Sequence, residues 1–284
     1  MGPTCSGKTE LANRLIDRFQ CPAINFDAFQ IYQDMNIGTS KLEKSDPHYS
    51  SYFLLDIVSP EKSFSVMEYQ TLARKKLDEL LIANKNVVMV GGTGLYLRAT
   101  LFDYEFPVEE ESDNSDLESM DNDSLYEMLM KLDPEATKTI HKNNRKRIIR
   151  AISIARSGQN KSDRISSQKH KLIYPKEDIR FIFISPNRDE LYKNIDERVI
   201  KMMDDGLVNE VKELQKKYIL SLTATQGIGY KEVIDYLDKK ISYDECVQLI
   251  QKRTRNYAKR QVTFFKNQFE YEKYDSIEEA YKHL

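Results

Sequence analysis

The first nine residues constrain this chain more than any other segment, because they match the G-x-x-x-x-G-K-[ST] pattern of a phosphate-binding loop. The matching residues, called the phosphate loop below, are Gly2, Pro3, Thr4, Cys5, Ser6, Gly7, Lys8 and Thr9. Glycines allow the backbone to turn consecutive N–H groups inward, and the following helix adds the positive end of its dipole. Lys8 supplies a mobile cation, and the Thr9 hydroxyl is a suitable Mg²⁺ ligand. The segment predicts a bound polyphosphate; the alternative is a glycine-rich turn that matches by chance.

The loop begins unusually early in the sequence. A phosphate-binding loop joins a buried β-strand to a helix, and here only Met1 precedes it. We therefore expect that the first strand of the fold is missing from this sequence, or that another segment takes its place.

Strands and helices alternate after the loop. Apolar spacing predicts a helix over residues 8–18, and a capping-box pattern at Ser65 and Glu68 predicts the start of a second helix. Runs rich in β-formers predict strands at residues 23–26, 52–58 and 87–90. The alternation predicts an α/β fold with a doubly wound parallel sheet, like that of P-loop NTPases. Ligands bind at the carboxyl ends of such strands, so we expect the phosphate loop and Asp27 on one rim.

The pattern changes after Leu101 and suggests three segments. Residues 1–101 are predicted to form the first part of the α/β core, residues 102–172 a helical insertion, and residues 173–284 the rest of the core. The predicted elements of the last two segments are helices near 125–132 and 144–155, a return strand at 179–184, and then only helices, at 188–204, 208–217 and 243–267.

Charge is strongly segregated, although the net charge of the 284 residues is only −2. Residues 103–123 contain ten Asp or Glu and no Lys or Arg. Residues 138–171 contain eleven Lys or Arg against one Asp, and residues 252–266 contain six Lys or Arg and no acid. Two basic segments of this density make an anionic polymer a plausible partner.

Composition excludes several other classes. No apolar run approaches the roughly 20 residues that cross a bilayer, and no signal peptide is recognisable, so we expect a cytoplasmic protein without a membrane partner. The three cysteines and four histidines are widely scattered. We therefore expect neither a disulfide framework nor a structural metal site.

Two further motifs narrow the chemistry. Asp27 ends a predicted strand beside the phosphate loop, where it could bind metal, act as a general base, or merely cap a helix. Gly91, Gly92, Thr93 and Gly94, the glycine turn below, follow another strand and present the Thr93 hydroxyl at the same rim. The turn alone is weakly specific, because glycine-rich turns after strands are common.

Together and in this order, the motifs resemble the tRNA dimethylallyltransferase family, in its bacterial form. The resemblance covers nearly the whole chain. Beyond the phosphate loop, it rests on residues 27–32 with 37–41, 91–96, 141–151, 196–199 with 206–211, 227–232 and 254–266. The chain departs from the usual family pattern at Ala28, where Ser is common, and at Phe264, where Trp is common.

The resemblance implies a reaction and a catalytic set. The family transfers a five-carbon dimethylallyl group from its diphosphate to the exocyclic amine of the adenosine just 3′ of the anticodon. By resemblance, Asp27 is the general base, Thr93 orients the tRNA adenine near Asp27, and the phosphate loop holds the diphosphate of the donor. Lys8, Mg²⁺ on Thr9 and Arg198 then stabilise the departing diphosphate. Without the resemblance, Arg198 would be an exposed arginine paired with the neighbouring Asp196 or Glu197.

The resemblance also implies that the anticodon stem-loop of tRNA is the macromolecular partner of a monomeric enzyme. The residues that it places against tRNA are Asp27, Ala28, Phe29, Gln30, Thr93, Lys146, Arg147, Ile148, Ile149, Arg150, Gln226, Gly227, Ile228, Gly229, Tyr230, Lys231, Lys259, Arg260, Gln261, Phe264 and Lys266. Taken alone, the cations near Arg147 could also form a solvated helix face behind Ile148 and Ile149.

Two other classes of protein share some of these sequence features. A P-loop kinase of small molecules or nucleotides shares the loop, the parallel sheet and a strand-end Asp, but it has no use for two basic segments. A tRNA-binding module without catalysis explains the cations, but it does not explain an intact Lys8–Thr9 pair beside Asp27.

Overall fold

The computed structural model describes residues 1–83, 85–104, 106, 114–156 and 171–284. The chain divides into two compact units, one formed by Met1–Phe102 with Ile173–Leu284 and the other by Asp103–Leu172. The second unit covers the segment that the sequence marked as an insertion. Parts of its acidic stretch (residues 105 and 107–113) and of its basic segment (residues 157–170) lie outside the described residues.

The first unit alternates strands and helices in its N-terminal part and is mainly helical after Ile173. Its helices and strands are α1 (Lys8–Phe19), β1 (Ala23–Asn25), β2 (Tyr52–Phe53), α2 (Val66–Ile82), β3 (Val88–Val90), α3 (Gly94–Leu101), β4 (Ile182–Ile184), α8 (Arg188–Asp204), α9 (Leu207–Lys217), α10 (Leu222–Thr225), α11 (Tyr230–Leu237), α12 (Tyr243–Gln268), β5 (Glu272–Tyr274) and α13 (Ile277–His283). Helices α4–α7 belong to the second unit.

Two small parallel sheets organise the first unit. β1 lies between β2 and β3, and Ala23 is opposite both Tyr52 and Val88. β1 is fully buried, as expected for a central parallel strand. β4 pairs with β5, and the backbone of Met1 follows β4: its ammonium donates to Ile182 O at 2.7 Å, and its carbonyl accepts from Ile184 N at 3.0 Å. Met1 thus lies in strand-like pairing just before the phosphate loop.

β5 corrects the expectation that only helices follow residue 188. Glu272, Lys273 and Tyr274 form this strand and pair in parallel with β4. The sequence does not predict this strand, because it lies at an exposed edge and its charged side chains lack the apolar pattern of a buried strand.

The strand expected at residues 52–58 is shorter than predicted. Only Tyr52 and Phe53 pair with β1. Leu54 and Asp56 have φ angles of 64° and 53°, which take the backbone out of the extended conformation. Val58 then meets Tyr32 in a single parallel bridge.

Helix caps and apolar faces agree with the sequence. The Ser65 hydroxyl accepts from Glu68 N, and the Glu68 carboxylate accepts from Ser65 N at 2.7 Å, so the predicted capping box is confirmed. The long helix α12 buries Ala258, Gln261 and Phe265 and leaves its basic side chains largely exposed. No helix in the described parts of the chain is both long and apolar enough to cross a membrane.

The second unit is a small helical assembly with its own core. Its helices are α4 (Ser115–Ser119), α5 (Asn122–Leu132), α6 (Pro134–Thr137) and α7 (Arg145–Arg156). Leu125 and Leu129 of α5 pack with Ile148 and Ile152 of α7, all fully buried.

Candidate active site

The phosphate loop has the backbone of an anion site. Gly7 has a φ of 80°, which a residue with a side chain adopts only under strain, and Ser6 Oγ donates to Pro3 O at 2.9 Å across the turn. A Cβ on Gly2 would lie 2.4 Å from Ile184 O, so glycine lets the loop pass close to β4. Helix α1 begins at Lys8, and the free N–H groups of its first turn attract an anion.

Lys8 is folded against the loop. Its Nζ donates to Pro3 O at 2.5 Å. Burial lowers the pKa of Lys8 to about 8, against the opposing effect of the Asp27 charge, and Arg198 lowers it further. A bound anion would favour the charged form of Lys8.

Asp27 follows β1 and is held by its own segment. Its Oδ1 accepts from Phe29 N at 3.0 Å and from Gln30 N at 3.4 Å. The buried Asn25, two positions earlier, binds the main chain of Asp27. Its Oδ1 accepts from Asp27 N, and its Nδ2 donates to Asp27 O. These contacts fix the carboxylate at the end of the strand.

The glycine turn brings Thr93 to the same place. Thr93 Oγ1 accepts from Ala28 N at 3.0 Å, directly after Asp27, and Thr93 N donates to Phe26 O at 3.2 Å. The turn packs so closely on β1 that a Cβ on Gly91 would lie 2.5 Å from the carbonyl carbon of Phe26.

Arg198 reaches the phosphate loop from α8. Its Nη1 donates to Thr4 Oγ1 at 2.7 Å and lies 3.5 Å from Cys5 Sγ. Asp196 instead pairs with Arg255, and Glu197 lies 3.8 Å from Lys193, so neither of the neighbouring acids pairs with Arg198. The Arg198 Nε is buried and has no partner among the described residues, so one donor of the guanidinium is left unsatisfied.

These groups surround one cavity of about 390 Å³. Thr4, Lys8, Asp27 and Arg198 are among its polar lining residues. Its apolar lining residues include Leu55, Val90, Val199, Met202 and Ile250. The cavity therefore offers a ligand both charged groups and apolar contacts.

Helix α12 closes another side of the cavity. Thr254, Tyr257 and Gln261 line it at helical spacing. Burial raises the pKa of the Tyr257 hydroxyl, which the Asp27 charge raises further. Gln261 is 5% exposed and contacts both the phosphate loop and the glycine turn.

The predicted tRNA contacts at residues 226–231 are mixed in exposure. Gln226 is exposed at the cavity, and Gly227 packs against the Phe29 ring. Tyr230 is 1% exposed, and its hydroxyl donates to Glu210 at 2.6 Å, so its side chain is already used inside the protein. Ile228 packs on the same core, Gly229 is buried, and Lys231 is half-buried.

The two predicted basic surfaces contain both exposed and buried residues. On α12, Lys259, Arg260 and Lys266 are exposed, whereas Phe264 packs against Gly94. On α7, Lys146, Arg147 and Arg150 are exposed and Ile149 is half-buried.

Ile148, also predicted as a tRNA contact, is fully buried in the core of the second unit, so its side chain cannot reach RNA. Arg145, one of the cations of the basic segment 138–171, donates to Leu117 O, Glu118 O and Asn122 Oδ1. It caps the end of α4.

Three side chains that hold the main chain around the cavity have no such role in the sequence-based prediction. Asn25 and Glu210 carried no site role there, and Gln261 was assigned to tRNA although its amide lies in the protein interior. A polar residue inside an apolar strand, such as Asn25, was the available signal. The described residues contain no group of three or more His, Cys, Asp or Glu side chains that could hold a metal ion.

Comparison with known proteins gives consistent matches along the chain. A model of the IPP transferase family matches residues 30–268. The tRNA dimethylallyltransferase of Anoxybacillus flavithermus is 36% identical over 283 residues, which cover 99% of this chain and 90% of that protein.

Solved structures match as well. The crystal structure of a tRNA isopentenylpyrophosphate transferase from Staphylococcus epidermidis superimposes with a TM-score of 0.70 at 35% identity, covering 98% of this chain and 92% of that one. A eukaryotic dimethylallyltransferase acting on tRNA has a TM-score of 0.77 at 28% identity, covering 93% and 68% of the two chains.

Proposed function

Because the chain belongs to the IPP transferase family, we propose that it transfers a dimethylallyl group from dimethylallyl diphosphate to tRNA. The acceptor is the exocyclic amine of the adenosine just 3′ of the anticodon, and diphosphate is released. The observation that carries the proposal is a single cavity lined by the phosphate loop, Asp27 and Arg198. A kinase is not favoured, since the relatives of this chain are named as tRNA dimethylallyltransferases.

The reaction exchanges one bond for another. The amine nitrogen forms a bond to the allylic carbon as the bond from that carbon to the diphosphate oxygen breaks. Asp27 accepts the proton that the amine loses, a contribution of roughly 10²–10⁴-fold. Oδ1 of Asp27 already accepts two backbone N–H groups, and its Oδ2 lies beside Gly92, so Oδ2 is the oxygen that receives the proton. The Thr93 hydroxyl orients the tRNA adenine next to Asp27.

Charge on the leaving diphosphate is stabilised by the cationic side chains that line the cavity. These are Lys8 of the phosphate loop and Arg198, whose buried Nε has no partner among the described residues. Preorganised donors of this kind stabilise developing charge, typically by about 10²–10³-fold for one donor. The apolar side chains of the lining, such as Met202 and Ile250, provide contacts for the five-carbon group.

Mg²⁺ fits this donor set. Thr9 is exposed in the first turn of α1 and lines the cavity, and a small hard cation prefers one or two protein oxygens together with phosphate oxygens and water. Without an acidic cluster among the described residues, most ligands would come from diphosphate. The ion would supply additional positive charge for the leaving group.

The first unit is proposed to be a doubly wound P-loop fold, on the basis of the phosphate loop before α1 and the parallel pairing around β1. The exposed cations of α7 and α12 are proposed to bind the phosphates of the anticodon stem-loop. We further propose that the enzyme acts as a monomer, because residues of one chain line the whole cavity, and that it acts on tRNA in the cytoplasm.

Incubation with labelled dimethylallyl diphosphate and unmodified tRNA tests the proposal. Label should enter the RNA without ATP, and mass spectrometry of the nucleosides should show the prenylated adenosine. Asp27→Asn should abolish transfer while tRNA retention on a filter persists. Absence of label together with ATP turnover would support the kinase instead.

A further inference from the structure

One buried side chain connects the two segments that hold the reactants. Gln261 Oε1 accepts from Thr4 N in the phosphate loop at 2.8 Å. Its Nε2 donates to Gly92 O in the glycine turn, also at 2.8 Å. The side chain is 5% exposed, so its loss would leave a main-chain donor and a main-chain acceptor unpaired in the interior.

The fit around this side chain is tight. A Cβ on Gly92 would lie 2.3 Å from Gln261 Nε2 and 3.5 Å from Asp27 Oδ2. The absence of a side chain at Gly92 therefore lets the Gln261 amide and the Asp27 carboxylate approach the same point of the turn. Next in sequence, Thr93 binds the main chain of Ala28.

We propose that Gln261 is a positioning residue that sets the separation between the leaving diphosphate and the Asp27–Thr93 pair. The inference rests on the proposed function, in which the phosphate loop holds the donor and the glycine turn orients the acceptor base. Both polar atoms of the Gln261 amide already bind the main chain, so the residue is inferred to act through the loop and the turn. Its two hydrogen bonds fix the loop relative to the turn, and transfer depends on that distance because a 1 Å misplacement costs on the order of 100-fold in rate.

A matched pair of substitutions on α12 separates this role from a general effect on the helix. Gln261→Leu removes both hydrogen bonds at similar side-chain size. Gln251→Leu is the control, because the Gln251 amide also donates to a main-chain oxygen, that of Asp196 at 3.4 Å, but it does not line the cavity. Gln261→Glu keeps an acceptor for Thr4 N and loses the donor to Gly92.

The measurements are the single-turnover rate of transfer, the affinity for inorganic diphosphate, tRNA retention on a filter and thermal unfolding. Gln261→Leu should slow transfer by about 100-fold. Its affinities for diphosphate and tRNA should each stay within about threefold of the original, because the interaction acts on the reaction step rather than on binding. Gln261→Glu should slow transfer by at least about 10-fold, and Gln251→Leu should behave like the unmodified chain.

Unchanged transfer by Gln261→Leu would overturn the inference, and so would a slower rate matched by equal losses in both affinities. If Gln261→Leu fails to fold, Gln261→Glu decides: a folded variant with the original rate rejects the positioning role. The proposed function fails separately, when the unmodified chain itself transfers no label.

Discussion

Asn25 holds the main chain of Asp27 at both of its polar groups. Asn25 Oδ1 accepts from Asp27 N at 3.2 Å, and Asn25 Nδ2 donates to Asp27 O at 3.4 Å and to Leu54 O at 3.1 Å. Asn25 is only 2% exposed and is therefore shielded from bulk water. The orientation of the Asp27 carboxylate is therefore set by a side chain of β1, and not only by the loop that follows the strand.

Replacement of Asn25 by Ala should reduce turnover while leaving substrate binding nearly intact. The variant loses the contacts that fix Asp27, and we expect kcat to fall by roughly 10–100-fold with little change in KM. Steady-state kinetics with both substrates measure the split. Asn209→Ala, on the exposed face of α9, is the control and should be neutral. A rise in KM with unchanged kcat would contradict the positioning of Asp27 by Asn25.

Removal of the Arg198 guanidinium should slow the chemical step. Arg198→Met keeps the length of the side chain but removes the charge beside Thr4, and we expect a loss of about 10²–10³-fold in transfer. Single-turnover measurement at saturating substrates reports this step. Arg188→Met provides a comparison at the exposed start of the same helix, where Arg188 covers the Tyr192 ring. Equal effects of the two substitutions would argue against a role for Arg198 in leaving-group stabilisation.

Donor binding should weaken as pH rises through about 8. The pKa of Lys8 is lowered to about 8 by burial, so the free enzyme carries a charged Lys8 below that pH and a neutral one above it. Diphosphate binds the charged form, and each further pH unit should cost up to about tenfold in kcat/KM for the donor until the pKa in the complex is reached. Rates measured between pH 6.5 and pH 9.5, an interval chosen to bracket about one unit or more on each side of that pKa, test this.

Lys8→Arg is the informative companion variant for this pH profile. Arginine remains charged throughout this range, so the variant should lose the alkaline limb even if its overall rate is lower. If kcat/KM of Lys8→Arg still falls with the same midpoint pH, the titrating group is not Lys8.

The sequence predicted several helix starts well, because their information lies in short spacings. The start of α1 at Lys8, the capping box at Ser65 and the start of α12 all depend on residues a few positions apart. Periodicity could also have excluded Ile148, which lies on the apolar stripe of α7, from the tRNA contacts.

What the sequence could not predict depends on tertiary contacts. β5 is a charged edge strand that forms only because β4 is beside it, and the turn after Phe53 depends on the positive φ of Leu54. Gln261 and Thr4 are 257 positions apart, so their hydrogen bond leaves no local pattern. Specific pairing of this kind needs the fold itself.

Glu210 should contribute strongly to stability. Its carboxylate accepts from the N–H groups of Asn36, Ile37 and Gly38 at 3.1, 2.7 and 3.3 Å, besides the Tyr230 hydroxyl. Glu210→Ala should lower the free energy of unfolding by about 2–4 kcal/mol, because several donors lose a charged acceptor. Denaturant unfolding measures the change. Glu213→Ala, which removes only a surface pair with Lys216, should cost less than about 1 kcal/mol.

Lys259 and Lys266 should determine part of the salt dependence of tRNA binding. Both are exposed on α12, and each phosphate contact that is lost lowers the slope of log affinity against log salt by about 0.7–0.9. The double substitution Lys259→Ala with Lys266→Ala should therefore weaken tRNA binding at low salt and flatten the slope, while diphosphate affinity is unchanged. Lys62→Ala with Lys75→Ala removes two other exposed cations as the control. If the control flattens the slope as much, the effect reflects net charge, and α12 is not a specific RNA surface.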